Sequence, residues 1–161
     1  MERLDDSAFD TYAVPLIGEP VSRVWRGHGS ALFLEFGPLI RNLRRYGTVG
    51  GETGKFTLMI QWSWRIERGR SIVCGSWSDE EKWPEAFGML GQTKVVGASL
   101  FSRLREIDIE LSNGLHVVSF STVEGGPQCT LFNRDEASWI TVKAGALVIE
   151  RETGKSADIL H

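Results

Sequence analysis

The chain has 161 residues, of which 42% are hydrophobic and 24% charged, and its formal net charge is −3. This balance is typical of a folded globular domain, and it excludes a disordered chain and a strongly basic nucleic-acid-binding protein. No stretch approaches the roughly 18 apolar residues of a membrane span, the acidic start lacks the features of a signal peptide, and the two cysteines form no CxxC pair. We therefore expect a cytoplasmic protein with neither a nucleic-acid nor a membrane partner.

Short strands are predicted for the beginning of the chain. Residues 1–13 are rich in acids and small side chains, and we expect a flexible arm. Residues 21–25 and 30–36 predict strands, separated by glycines that favour a turn. Residues 39–46 fit either a strand or a helical turn, and the glycine-rich residues 48–55 fit a loop.

The stretch over residues 56–77 predicts a β-hairpin around which the fold is organised. Every second residue over 58–66 is large and apolar, which is the alternation of a strand with one buried face. A two-residue turn at Arg68 and Gly69 gives a register in which Cys74 lies on the face away from the core. The same register places three tryptophans on the core face: Trp62, Trp64 and Trp77.

A short helix and a second set of strands follow. Ser78 is a suitable N-cap for a helix near residues 79–90, because acids fill its first turn, although Pro84 would also fit a later start near residues 81–83. Asn113 and Gly114 favour a two-residue turn that would set His116 at the turn end of an apolar hairpin face. Further strands or hairpins are predicted over residues 94–99, 107–120, 128–132 and 139–150.

These elements predict a mainly β fold, either an antiparallel sandwich or a partly open barrel, with one short helix near residues 79–90. We expect a single domain over residues 14–150 and a loose tail over residues 151–161. Similar strand motifs occur in the same order in residues 14–78 and 91–150, so the domain could consist of two similar halves joined by the helix.

Five residues are candidates for binding. Trp139 points to the opposite face of its predicted strand from the apolar row, so it faces a second layer, a pocket or a partner. His28 lies between two glycines, where a backbone can approach a ligand closely, although a plain turn has the same pattern. His116 is predicted at the boundary of a hairpin face. Asp108 and Glu110 belong to a row of acids that either contacts a partner or discourages pairing at a strand edge.

The pattern of ligating and nucleophilic residues indicates no cofactor and no metal site. The three histidines lack the spacing of zinc ligands, and the two Gly-Lys pairs lack the preceding glycine of a phosphate loop. Cys74 paired with a histidine such as His116 would make a hydrolase, but no local motif accompanies the cysteine. The sequence therefore favours a protein without catalytic activity.

Three segments resemble small bacterial proteins that are classed as domains of unknown function. The segments are IERGRSIVCGSWSDEE (66–81), IDIELSNGLHVVSF (107–120) and GGPQCTLF (125–132). The resemblance would extend over most of residues 14–150, and it implies a bacterial protein with a possible role in toxin immunity. It implies no site residues.

The leading hypothesis for function is a non-catalytic binding module that recognises another protein through an exposed sheet face or edge. The alternative is a small-ligand-binding β-barrel with a tryptophan-lined cavity, which would take a hydrophobic or aromatic-stacking ligand. A homodimer is compatible with either hypothesis.

Overall fold

The computed structural model of the chain describes residues 2–43 and 49–152, and these form fourteen strands and two α-helices. The helices are α1 (Asp6–Ala13) and α2 (Trp83–Leu90). The strands are β1 (Glu2–Leu4), β2 (Val21–Arg26), β3 (Leu32–Phe36), β4 (Ile40–Leu43), β5 (Val49–Thr53), β6 (Phe56–Ile60), β7 (Trp64–Arg68), β8 (Ser71–Gly75), β9 (Val95–Phe101), β10 (Glu106–Leu111), β11 (Leu115–Ser119), β12 (Pro127–Asn133), β13 (Ser138–Lys143) and β14 (Ala146–Arg151).

Two antiparallel sheets contain most of the described strands. The larger sheet has the order β1-β14-β13-β12-β6-β3-β2, and the smaller sheet has the order β8-β7-β11-β10-β9. Strands β4 and β5 form a separate hairpin. Among the described strands neither sheet closes on itself, and the predicted mainly β, antiparallel fold is confirmed.

The inner faces of the two sheets share one hydrophobic core. On the larger sheet Leu34 is paired with Leu58, and on the smaller sheet Ile66 is paired with Val117, and all four side chains are fully buried. The burial of apolar surface between two layers is the main favourable contribution to the stability of such a fold.

Residues 2–13, for which a flexible arm is predicted, instead form an edge strand and a helix. Strand β1 pairs with β14, and helix α1 packs near β9. The carboxylate of Asp5 accepts a hydrogen bond from the Ala8 amide and caps the helix, while Phe9 is buried in the core. The acids at the start of the chain therefore include a helix cap, and one buried aromatic side chain anchors the segment.

The predicted helix is confirmed, although Ser78 does not cap it. A 3₁₀ turn over Glu80–Lys82 leads into α2, and Pro84 occupies the first turn, where a backbone N–H has no partner within the helix. The Ser78 hydroxyl accepts a hydrogen bond from the Gly75 amide at 3.0 Å instead.

The stretch predicted as one hairpin over residues 56–77 is divided between the two sheets. Strand β6 belongs to the larger sheet, whereas β7 and β8 form a hairpin in the smaller sheet. Its turn consists of Gly69 and Arg70, and a bulge in β8 brings Cys74 opposite Ile66. Because a bulge reverses the alternation beyond it, Cys74 lies in the core and not on the opposite face as predicted.

The three tryptophans that the predicted hairpin places on one core face do not share it. Trp64 is fully buried, and its indole Nε1 donates a hydrogen bond to the Ser30 carbonyl at 2.7 Å. Trp62 is 50% exposed in the connection between the sheets, and Trp77 is 81% exposed in the turn after β8. The prediction was wrong because Trp62 lies where the chain crosses between the sheets, over residues 61–63, and because β8 ends at Gly75, before Trp77.

Strands β10 and β11 form the predicted hairpin in a register that differs by one residue. The prediction sets Leu111 opposite His116, but the structure sets Glu110 opposite His116 across a three-residue loop, 112–114. Gly114 has a φ of +85°, which suits the left-handed position of such a loop. A shift of one residue moves a side chain to the other face of a sheet, so His116 lies on the outer face.

The topology gives no support to a repeat. Residues 14–78 contribute strands first to the larger sheet and then to the smaller one, whereas residues 91–150 do the reverse. The last predicted hairpin is confirmed, because β13 and β14 pair across a two-residue turn.

Part of a predicted loop is a strand, and several predictions fall outside the described residues. Residues 49–53 of the predicted loop form β5, and residues 40–43 form β4. Residues 44–48 lie outside the described part of the chain. Of the predicted tail, Arg151 ends β14, and residues 153–161 also lie outside the described part. No helix in the described ranges is long and apolar enough to cross a membrane.

Candidate functional site

The outer face of the five-stranded sheet brings together three of the five candidate residues. Asp108 and Glu110 point outward from β10, while the residues between and beside them point into the core. His116 on β11 lies directly opposite Glu110, and Glu67 on β7 lies opposite His116 on its other side. We call this surface the charged face and define it by Arg65, Glu67, Asp108, Glu110 and His116.

A carboxylate on the neighbouring strand holds the imidazole of His116. The Nδ1 atom lies 2.8 Å from Asp108 Oδ1, and both side chains are about a third exposed. The hydrogen bond with Asp108 raises the pKa of His116 above its ordinary value, partial burial lowers it, and the charges of Asp108, Glu110 and Glu67 raise it further. The imidazole therefore becomes positively charged at a higher pH than that of a free histidine.

Arg65 carries the opposing charge of this face. Its Nε donates a hydrogen bond to Glu67 Oε2 at 2.5 Å, and its guanidinium lies 5.3 Å from the centre of the Phe120 ring. Arg65 and Glu67 point the same way because they are two residues apart on one strand. The charged face thus holds three carboxylates and one guanidinium, with His116 among the carboxylates.

The chemistry that the charged face offers is ionic recognition. No group of histidine, cysteine and carboxylate side chains in the described ranges is placed to hold a metal ion. His116 makes its hydrogen bond through Nδ1, and no described serine or cysteine pairs with its Nε2. The carboxylates of this face are partly exposed, and such groups form charge-assisted hydrogen bonds with lysine and arginine side chains.

Both cysteines are buried thiols. Cys74 is 2% exposed, and its Sγ contacts the carbonyl of Gly75. Cys129 on β12 is also buried, and burial raises the pKa of its thiol to about 12. Because a nucleophilic cysteine must be accessible as the thiolate, this geometry gives no support to a hydrolase that uses Cys74.

The two remaining candidate residues lie on the larger sheet or beside it. Trp139 points outward from β13, is partly exposed, and has its ring tilted against that of Phe132 at a centroid distance of 6.2 Å. His28 is exposed in the turn between β2 and β3, next to Gly29, whose φ is +64°. Neither residue contributes to the charged face.

The outer face of the seven-stranded sheet carries aromatic side chains around a buried acid. The rings of Trp25 and Phe33 are stacked with their centroids 4.0 Å apart, and the guanidinium of Arg23 lies 5.0 Å from the Trp25 ring. We call this surface the aromatic face and define it by Trp25, Phe33, Glu35, Phe132 and Trp139.

Glu35 is completely buried in the aromatic face, and donors surround its carboxylate. It accepts hydrogen bonds from Trp25 Nε1 at 2.8 Å, from the Gly54 amide at 3.0 Å and from the Thr57 hydroxyl. Arg134 Nη1 lies 3.9 Å from Glu35 Oε1. Burial lowers the pKa of Arg134, and the charge of Glu35 opposes that shift. Glu35 therefore joins β2, β6 and two loops, and its hydrogen-bonding capacity is used within the protein.

Three residues with a role in these faces are not predicted from the sequence: Glu35, Glu67 and Arg65. Glu35 is a single acid between Leu34 and Phe36 in a strand, and an acid within an apolar run is a signal for a buried polar contact. Arg65 and Glu67 occupy the polar positions of an alternating strand, but their proximity to His116 depends on which strands pair.

Comparison of the chain with family models, with curated proteins and with solved structures finds no match.

Proposed function

We propose that this protein is a non-catalytic binding module whose charged face docks a basic partner protein. The observation that carries the proposal is the placement of Glu67, Asp108 and Glu110 on both sides of His116, across three adjacent strands. Acids on a rigid sheet are fixed relative to one another, so they can match lysines and arginines at defined spacings.

The edges of the same sheet add apolar surface to the charged face. Ile72 on β8 is paired with Glu67 and is 66% exposed, and Phe101 on β9 is 40% exposed at the opposite edge. Exposed apolar side chains next to charged groups are common in protein interfaces, where the apolar contacts add affinity and the charges add specificity.

A reducing cytoplasm is part of the proposal, because both cysteines are unpaired. The role in toxin immunity that the sequence resemblance implies stays a prediction.

Site-specific photo-crosslinking in cells of the source organism tests the proposal. A photoreactive residue in place of Glu110 should give a crosslinked protein, and the same residue in place of the exposed Lys143 on β13 should not. The adduct should disappear in a background that carries Glu67→Arg and should weaken at high salt, because salt screens exposed charges. Equal crosslinking from both positions would contradict the proposal, and so would an adduct that contains only a second copy of this chain.

A further inference from the structure

A cleft lies where the chain crosses from one sheet to the other. Residues 61–63 connect β6 to β7, and the segment between β11 and β12 packs beside them. The Phe120 amide donates a hydrogen bond to the Ser63 carbonyl at 3.1 Å, and the hydroxyls of Ser63 and Thr122 lie 3.3 Å apart. The cleft between the two segments is lined by Trp62, Ser63, Ser121, Thr122, Val123 and Gln128.

Polar groups with fixed orientations lie behind this cleft. Glu106 is 6% exposed, and its Oε1 accepts hydrogen bonds from the hydroxyls of Ser119 and Ser121, each at 3.0 Å. The Ser121 hydroxyl accepts a hydrogen bond from Gln128 Nε2, and Gln128 Oε1 accepts one from the Gly145 amide. These bonds fix the orientation of the Gln128 amide, and its second N–H has no protein acceptor among the described residues.

An indole ring stands beside these polar groups. Trp62 is 50% exposed, although its backbone is held in place by a 2.6 Å hydrogen bond from the Ser30 hydroxyl to its carbonyl. Val123, on the other segment of the cleft, is 58% exposed. The structure therefore combines an exposed aromatic surface with hydroxyl and amide groups in one cleft.

We propose that this cleft is a saccharide-binding site. The cleft has a volume of about 10 Å³, which is room for one water-sized group, and a single sugar hydroxyl has that size. Trp62 contacts the C–H face of the same sugar ring, and the amide of Gln128 and the hydroxyl of Thr122 bond the hydroxyl that enters the cleft. A sugar ring presents both a C–H face and hydroxyls, and the exposed indole beside the hydroxyl and amide groups of the cleft offers a contact for each.

Chemical-shift mapping with defined sugars tests this site on the full chain. The ¹⁵N-labelled protein is titrated with methyl α-D-glucopyranoside, methyl β-D-galactopyranoside and N-acetyl-D-glucosamine. We expect at least one sugar to shift the indole N–H signal of Trp62 and the amide signals of Ser121 and Thr122. A Kd in the millimolar range is expected, because one ring and few hydrogen bonds form the contact.

Variants separate a specific site from weak contact with any exposed indole. Trp62→Ala should weaken binding about tenfold, as expected for an aromatic contact, and Thr122→Val should weaken it by removing one hydroxyl at nearly constant shape. Trp77→Ala removes an exposed indole outside the cleft and should leave binding unchanged. The proposal is overturned if none of the three sugars shifts these signals, or if Trp62→Ala binds as well as the wild type.

Discussion

The two outer faces of this protein contain similar residue types and use them differently. On the aromatic face, Glu35 is fully buried and accepts hydrogen bonds from three donors, with Arg134 close by. On the charged face, Asp108 and His116 pair with each other while each stays about a third exposed. A carboxylate whose bonding capacity is used inside the protein stabilises the fold, whereas a partly exposed one with capacity to spare can meet a partner. The two roles therefore depend on how deeply the carboxylate is buried and on how many of its hydrogen bonds are made within the protein, and not on residue type.

The largest effect that would separate the two faces is expected from Glu35. Glu35→Ala removes the acceptor of the buried Gly54 amide and of the partly buried Trp25 indole, and it leaves the partly exposed Arg134 without its nearby opposite charge. We expect the free energy of unfolding to fall by about 2–4 kcal/mol, because buried donors lose their acceptor and each such loss costs about 1–3 kcal/mol. Urea unfolding measures this loss. The matched control, Glu110→Ala on the charged face, should change the value by less than about 0.5 kcal/mol.

Trp25 provides a second, smaller test of the structural role of the aromatic face. Its ring stacks on Phe33 and its Nε1 donates to Glu35, so Trp25→Ala should cost about 2 kcal/mol of unfolding free energy. Trp77→Ala removes an indole that is 81% exposed and should cost less than about 0.5 kcal/mol. Similar losses in thermal or urea unfolding for the two variants would show that this face contributes no particular stability.

The charged face should make a small contribution to stability that depends on pH. Because the folded state raises the pKa of His116, this contribution is fully present below the ordinary histidine pKa and is lost as the pH rises through the folded value. His116→Gln should therefore cost at most about 1 kcal/mol near pH 5.5, and it should cost less near pH 8. Unfolding curves of both proteins at the two pH values measure the difference. A loss that is larger at the higher pH would contradict the assigned direction of the pKa shift.

The pair of Asp108 and His116 can be tested with little change in stability. Asp108→Asn removes the largest cause of the raised pKa, so the titration midpoint of His116 should move down towards its ordinary value. NMR titration of the imidazole C–H signals follows this midpoint directly. Glu150→Gln, a change on β14 of the other sheet, should leave it where it is in the wild type.

Alternation and turn residues were sufficient to predict many of the local elements of the fold, although β1, α1 and β5 were missed. The hairpin of β13 and β14 and the strands β2 and β3 were predicted because each lies within one sheet and is flanked by clear turn signals. The prediction failed over residues 61–63, because the apolar alternation continues there while the chain passes from one sheet to the other. It also failed in β8, because a bulge changes which side chains face the core. Nothing in local sequence marks a change of sheet.

Three of the five residues of the charged face were predicted from the sequence, but their geometry was not. Asp108, Glu110 and His116 were named from the sequence, yet a register shift of one residue set His116 on the wrong face. Glu67 was missed because it lies next to His116 only through the pairing of β7 with β11, two strands that are distant in sequence. Such contacts are determined by tertiary packing, which a pattern along one chain does not contain.

The most direct test of the different roles of the two faces is the affinity of the partner that crosslinks at position 110. It is measured for the wild type, for a variant with Asp108→Arg and Glu110→Arg, and for Glu150→Arg on the other sheet. We expect the double reversal to weaken binding at least about tenfold while the free energy of unfolding falls by no more than about 1 kcal/mol, and Glu150→Arg to bind as the wild type does. Full affinity in the double reversal, or a loss confined to Glu150→Arg, would contradict the account.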